Sequence, residues 1–147
     1  MIADFFKHKR HGQAIMELIL VLPLLLLLIL GAMDFGRMFF TKIVTANAAR
    51  EGVNFISRNP DDQTNCDIAD PTMCYLETLE IIANEANSSG VTVSPSEVVI
   101  TGCCTMGSPV QVQVTKEVDL IFGGILAQFG LMNDPMPLVS TARMVSQ

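Results

Sequence analysis

The chain has few of the side chains on which enzyme chemistry depends. Its only two histidines, His8 and His11, lie within the first twelve residues, so the rest of the sequence offers no imidazole for acid–base catalysis or metal ligation. The nucleophile elbow G-x-S-x-G, the phosphate-binding loop and the dinucleotide fingerprint G-x-G-x-x-G are all absent from the 147 residues. We therefore expect no catalytic residues, no metal and no cofactor, and we predict that the protein is not an enzyme.

Charged side chains are also scarce, at 16% of the sequence, and basic ones are nearly missing from its second part. Residues 59–147 hold two basic and eleven acidic side chains, a net charge of −9, whereas residues 1–58 hold seven basic and four acidic ones, a net charge of +3. An acidic surface repels the phosphate backbone, so nucleic acid is not an expected partner. The length leaves room for one domain and a short appendage.

The most apolar part of the chain is an uncharged run between Glu17 and Asp34, with the sequence LILVLPLLLLLILGAM. Such a run belongs in lipid or in an assembled helical core. A cluster of basic residues just before it favours a cytoplasmic N terminus. Pro23 lacks a backbone donor, which predicts a kink or local melting of the helix near Ile19.

Helical spacing continues beyond the uncharged run and predicts one helix over residues 13–58. Its first part is expected in the membrane, and its second part is expected to carry an apolar stripe onto which other elements pack. The stripe consists of Phe39, Ile43, Ala46, Ala49, Val53 and Ile56.

The remaining residues predict a small head of class α+β. A second helix is expected over residues 71–87, ended by the sequence Ser-Ser-Gly, with one apolar side formed by Leu76, Leu79, Ala83 and Ala86. Alternating valines and isoleucines over residues 98–100 and 110–115, and a last stretch over residues 138–145, predict about three antiparallel strands. Residues 120–131 form an apolar, glycine-containing excursion. The predicted fold is thus a long N-terminal helix followed by a head with one helix and three strands.

All four cysteines, Cys66, Cys74, Cys103 and Cys104, lie in this head. An even number in a small exported unit indicates disulfides. A bridge between adjacent cysteines would strain the peptide bond between them, so we expect Cys103 and Cys104 each to pair with Cys66 or Cys74, in either combination. Free thiols and a zinc site are the alternatives, and zinc is disfavoured because the spacing lacks C-x-x-C pairs.

One motif carries functional information. Gly12 and Gln13, followed by Glu17 and the apolar run, have the form of a prepilin processing site, in which a cut after Gly12 makes Glu17 the fifth residue. The wider string GQAIMELILVLPLLLLLILGAMDFGRMFFTKIVTANAAREGV, and more loosely the tail with PVQVQVTKEVDLIFGGIL and STARMV, resembles the TadE-like family of tight-adherence (Flp, type IVc) pilus proteins. Gln13 replaces a phenylalanine common in type IV pilins, and Leu18 replaces a tyrosine of the main Flp pilin. The resemblance therefore implies a minor pilin or pseudopilin.

The resemblance also implies partners and a location. A prepilin peptidase would cleave on the cytoplasmic side, which divides the chain into a leader (1–12), a membrane and assembly helix (13–58) and an extracytoplasmic head (59–147). The expected partners are other pilin or pseudopilin subunits, the inner-membrane pilus assembly platform and membrane lipid. The protein would be a single-pass inner-membrane protein that later enters the pilus or reaches the cell surface.

Two acidic residues border the apolar run. A carboxylate costs about 2.5–3.5 kcal/mol at mid-membrane, so Glu17 needs a partner, and cleavage would supply the α-amine of Gln13 one turn away or on a neighbouring subunit. Alternatively, Glu17 lies in the headgroup region as an ordinary flank of a signal anchor.

Asp34 and Arg37, three residues apart at the membrane exit, are expected as a helix contact, either a surface pair or a contact with another subunit.

Two other functions fit parts of the sequence. One is a generic signal-anchored envelope protein with an exposed binding head, and the other is a secreted hydrolase with a cleavable signal peptide. The mature N terminus distinguishes the three hypotheses, because it would be Gln13 for the prepilin, Met1 for the signal-anchored protein, and a residue after about Ala32 for the hydrolase.

Overall fold

One long helix, α1, spans Lys7–Arg58. The computed structural model describes residues 7–59, 75–102, 107–128, 130 and 135–145, and for residues 7–12 and 126 it describes the backbone only. The helix continues through Pro23, so the predicted local melting near Ile19 is wrong. A proline inside a helix costs about 3 kcal/mol, but the leucine-rich sequence on both sides favours the helical state and keeps the segment continuous.

Among the residues that the structure describes, the head contains two further helices and three strands. Helix α2 spans Leu76–Ser88 and a 3₁₀ turn spans Pro95–Glu97. Strands β1, β2 and β3 span Val98–Thr101, Pro109–Val118 and Met136–Val145, and helix α3 spans Ile121–Gln128 between β2 and β3. The predicted α+β class is confirmed, and α3 adds a helix where the sequence indicated only an apolar excursion.

The three strands form one antiparallel sheet in the order β1-β2-β3. Val112 pairs with Ile100 of β1 and with Ala142 of β3, and Val114 pairs with Val98 and Ser140. The alternating valines of β2 are buried and the glutamines between them are partly exposed, as the period-two pattern predicts. This register turns one face of the sheet toward α1.

The core of the head is centred on the C-terminal half of α1, which contacts α2, β2 and β3. The buried apolar residues are Val44, Ala48, Ala49, Val53 and Ile56 of α1, Ile82 and Ala86 of α2, Val93, and Val110, Val112 and Val114 of β2. Chain from both sides of the expected boundary at residue 59 therefore builds a single core.

The predicted stripe on α1 is partly wrong. Ala49, Val53 and Ile56 are buried as expected, whereas Phe39 and Ile43 remain 59% and 46% exposed. Apolar residues surround this part of α1 on nearly all sides, so spacing alone does not define the buried face.

Helix α2 packs on a different face from the predicted one, but it ends where expected. Ala86 is buried as predicted, together with Thr78 and Ile82, whereas Leu76 is 58% exposed. Gly90, with φ of 77°, follows the last turn in the left-handed conformation that commonly terminates a helix. The predicted start at residue 71 lies outside the described residues.

A glycine allows α1 and α2 to approach closely. A Cβ added at Gly52 would lie 2.6 Å from Cδ1 and Cγ1 of Ile82, a side chain that is itself fully buried. The absence of a side chain at Gly52 thus sets the contact between the two helices.

Candidate assembly and membrane site

The N-terminal half of α1 is an uncovered apolar surface. Between Ile15 and Ile29, every large aliphatic side chain and Met16 is 45–76% exposed. Within the part of the chain that the structure describes, α1 is the one helix long and apolar enough to cross a membrane, and none of its most apolar 18-residue window is buried. A patch of this size requires lipid or other helices as its surroundings. It fits a single-pass membrane anchor.

Asp34 marks the point where this surface meets the head. Its side chain is buried, with 6% exposure, although it follows directly after the apolar run. Oδ1 accepts a hydrogen bond from the backbone N–H of Ile121 at 2.9 Å, and Oδ2 accepts bonds from the N–H groups of Phe122 at 2.7 Å and Gly123 at 3.4 Å. These N–H groups open α3 and have no partner within that helix. Asp34 of α1 therefore caps α3 and attaches it to α1.

Further polar contacts fix α1 to strand β3. The ammonium of Lys42 donates to the carbonyl oxygen of Val139, and the hydroxyls of Thr45 and Ser140 share a buried hydrogen bond of 2.8 Å. Near the C-terminal end of α1, the hydroxyl of Ser57 lies 3.0 Å from the sulfur of Met144. We call Asp34, Lys42, Thr45 and Ser57 the polar seam, because together they hold one side of α1 against the head.

The structure places the predicted processing residues at the opposite end of α1. Gly12 lies within the helix, and Gln13 and Glu17 are exposed on it one turn apart. Both side chains are therefore accessible to other molecules. Cys66, Cys74, Cys103 and Cys104 lie outside the described residues, and their pairing stays a prediction.

Asp34 has a partner that neither sequence-based alternative included. Arg37 is exposed and interacts with Asp34 through its charge, while the hydrogen bonds of Asp34 go to the backbone of α3. The bonded residues are 87 to 89 positions apart in the chain. The sequence contains one indication of this contact: the apolar, glycine-containing segment that forms α3 has no capping side chain of its own.

An ion pair fixes the start of β1 to β2. Nζ of Lys116 lies 2.9 Å from Oε1 of Glu97, and Oε2 of Glu97 accepts bonds from the backbone N–H and hydroxyl of Ser94. Burial alone would raise the pKa of Glu97, but these donors and the lysine charge outweigh burial and hold the pKa below its usual value. Glu97 is therefore a structural carboxylate that is stabilised in its ionised form.

A groove of about 820 Å³ separates α2 from the edge strand β1. Its walls are largely apolar and include Tyr75, Leu79, Val99 and Ile100. Burial raises the pKa of Tyr75. The described residues contain no group of three or more His, Cys, Asp or Glu side chains that could hold a metal ion.

Comparison with known families finds a similarity over most of α1. A family model described as TadE-like protein matches residues 12–54, which include the exposed apolar half of α1, Asp34 and most of the buried half. Over these residues the chain is similar to the TadE-like family, as the sequence motif predicts. The match supports a protein associated with the tight-adherence pilus, whose family members are structural proteins. No curated protein and no solved structure matches the chain.

Proposed function

We propose that this TadE-like protein is a minor pilin or pseudopilin, a structural subunit for the assembly or initiation of a tight-adherence pilus that mediates surface attachment. The observation that supports this proposal is the division of α1 into an uncovered apolar half and a half that forms the core of the head. A subunit of this form presents a helix to lipid or to other helices and keeps its head folded in either environment.

The proposed arrangement in the cell follows from charge and exposure. The basic N terminus stays in the cytoplasm, α1 crosses the inner membrane once, and the acidic head lies outside the cytoplasm. The apolar half of α1 then contacts membrane lipid before assembly, and other pilin or pseudopilin subunits or the assembly platform afterwards. Lipid and helix surfaces are both apolar, so the same side chains serve both contacts.

Processing after Gly12 requires a local change in the helix. The backbone around Gly12 and Gln13 is helical, and a peptide bond within a helix has to open before a peptidase can bind it in an extended form. Helix ends open at little cost, and a glycine lowers helix stability by about 1 kcal/mol relative to alanine. Gly12 thus favours opening at the proposed cleavage position.

Cleavage would also give Glu17 a partner. The new α-amine on Gln13 would lie one turn before the exposed carboxylate of Glu17, and a neighbouring subunit could offer its own amine in the same way. Pairing lowers the cost of placing the carboxylate among apolar helices. We therefore assign Glu17 to assembly and Gly12 with Gln13 to processing.

The decisive experiment is mass spectrometry of the mature protein isolated from the native cell envelope. An N terminus at Gln13 supports the proposal, and Gly12→Arg should then leave an unshifted precursor on an immunoblot. A mature protein that begins at Met1 would identify a signal-anchored envelope protein, and one that begins after about Ala32 would identify a secreted protein. Either result contradicts processing at Gly12.

Assembly is tested separately with two exposed acidic residues of α1. Glu17→Ala should reduce pilus yield, whereas Glu51→Ala, which removes an exposed carboxylate from the head half of the same helix, should not. Normal pilus yield from Glu17→Ala would refute the role of Glu17, even if processing at Gly12 were correct.

A further inference from the structure

The uncharged run of α1 is shorter than a bilayer is thick. Residues 18–33 span about 24 Å at about 1.5 Å per residue, whereas a hydrocarbon core is about 30 Å thick and takes about 20 helical residues. With Glu17 at the inner boundary of the core, Asp34 lies about 4–5 Å short of the outer boundary. Asp34 and whatever contacts it are therefore at the depth of the outer leaflet.

The surroundings of Asp34 suit this depth. Its carboxylate is shielded from solvent and accepts the three N–H groups of α3, which reduces the cost of burying it. Beyond Asp34, α1 continues with exposed aromatic rings, since Phe35, Phe39 and Phe40 are 68%, 59% and 52% exposed. Arg37 among them has a side chain long enough to reach the headgroups. The apolar surface of α1 thus extends past Asp34.

Helix α3 lies at the same depth, because its first N–H groups are 2.7–3.4 Å from the Asp34 carboxylate. Its sequence, IFGGILAQ, contains no charged residue. Ile121 and Ile125, one turn apart on the same face, are 45% and 48% exposed. Ile125 lies one turn, about 6 Å along α3, after Ile121, so both isoleucines stay close to the level of Asp34.

From these observations we propose that α3 is a second membrane contact of this protein. Ile121 and Ile125 insert into the outer leaflet, and the bond network of Asp34 holds α3 at that level, so the head rests on the bilayer. The occupant of this apolar face is lipid because α3 begins beside Asp34, at the end of the uncovered apolar half of α1 that crosses the membrane. The inference rests on the proposed anchoring of α1 in the membrane.

The absence of tryptophan from the sequence provides a direct test. Single tryptophans are introduced into the full chain as Ile121→Trp and Ile125→Trp, with Leu26→Trp in the middle of the apolar run and Val99→Trp on β1 as references. Each variant is reconstituted into phosphatidylcholine vesicles in which part of the lipid carries bromine on its acyl chains, near the headgroup or near the chain end. Bromine quenches tryptophan emission only on contact.

We expect Leu26→Trp to lose emission with bromine near the chain end, Ile121→Trp and Ile125→Trp to lose it with bromine near the headgroup, and Val99→Trp to keep it. If the α3 variants behave like Val99→Trp while Leu26→Trp is quenched, the inference is wrong and the membrane anchor stands. If Leu26→Trp is not quenched either, the anchoring itself is wrong.

A second copy of the chain is the other candidate for covering α3, and the same samples test it. Protection by another copy would shift the emission of the α3 variants to shorter wavelength without bromine quenching. This shift would vanish when the ratio of protein to lipid in the vesicles is lowered. That result would overturn the lipid contact. Far-UV circular dichroism confirms folding of each variant, and two positions on α3 guard against one that fails to fold.

Discussion

The attachment of α3 to α1 depends on one carboxylate, and Asp34→Ala should release it. The substitution removes the acceptor of three backbone N–H groups at a site with 6% exposure. No other side chain in the described part of the head bonds to these groups in the structure. The first turn of α3 would then open, while the core around Val53 and Val112 keeps its contacts.

The magnitude follows from the bonds that are lost. Loss of a capping side chain costs about 0.5–2 kcal/mol, and a hydrogen bond to a charged group contributes about 1.5–3 kcal/mol. One bond of 3.4 Å is long, so we count two strong bonds, which together give about 3–6 kcal/mol as an upper limit. Since measured cap losses are smaller, we expect a local destabilisation between the two ranges, about 2–4 kcal/mol. At the lower value, the protection of these amides from hydrogen exchange falls roughly 30-fold.

Hydrogen exchange detected by mass spectrometry measures this effect on the peptide that contains Ile121 to Gly123, in the full chain held in detergent micelles. Asp119→Ala is the matched control, because it removes an exposed carboxylate just before α3 and should change stability by less than about 0.5 kcal/mol. Asp34→Asn keeps one acceptor oxygen and should fall between the two. Unchanged protection in Asp34→Ala, or equal loss in Asp119→Ala, would refute the capping role.

Three further predictions concern the head and are measured by urea unfolding followed by circular dichroism. Gly52→Ala places a Cβ 2.6 Å from the buried side chain of Ile82 and should lower the free energy of unfolding by about 1–3 kcal/mol. Gly36→Ala, with open space around the added Cβ, is the control and should be neutral or stabilising. Equal effects of the two substitutions would contradict the close contact between α1 and α2. Thr45→Val leaves the buried hydroxyl of Ser140 without its partner and should lower the free energy of unfolding by about 1–3 kcal/mol. A change below about 0.5 kcal/mol would contradict this prediction. The pKa of Glu97 in the folded protein is lowered from 4.5, so its contribution to the free energy of unfolding is complete above about pH 5 and is lost as pH falls through the folded value. Glu97→Gln should therefore flatten the dependence of the free energy of unfolding on pH in this acidic range. An unchanged slope would contradict the assignment of Glu97.

Local patterns in the sequence predict much of this fold. The alternation of Val110, Val112 and Val114 with polar residues determines which face of β2 is buried, because successive side chains of a strand point to opposite faces. The Ser-Ser-Gly sequence ends α2 for an equally local reason, since glycine adopts positive φ without strain. The processing motif and the family resemblance are local as well, and the match over residues 12–54 confirms the resemblance.

The contacts that define the candidate site are not local, and the sequence did not predict them. Asp34 bonds to residues 87 to 89 positions away, and Thr45 bonds to a residue 95 positions away. Helix α3 is only eight residues long and contains two glycines, which oppose helix formation, so its helical state depends on the cap from α1. The residue pattern within α3 therefore does not predict a cap that α1 supplies.

The polar seam solves a problem that an apolar contact alone would leave open. Around Asp34 and Lys42, α1 is apolar on most of its circumference, as the exposed Phe35, Phe39 and Ile43 show. Hydrophobic packing is not directional, so on such a helix it would hold the head with similar strength in several rotational positions. Hydrogen bonds require defined distances and angles, and the bonds of Asp34 and Lys42 are satisfied in one position only. Polar residues therefore select the face of α1 that the head covers, and the remaining circumference stays available to lipid and to neighbouring helices.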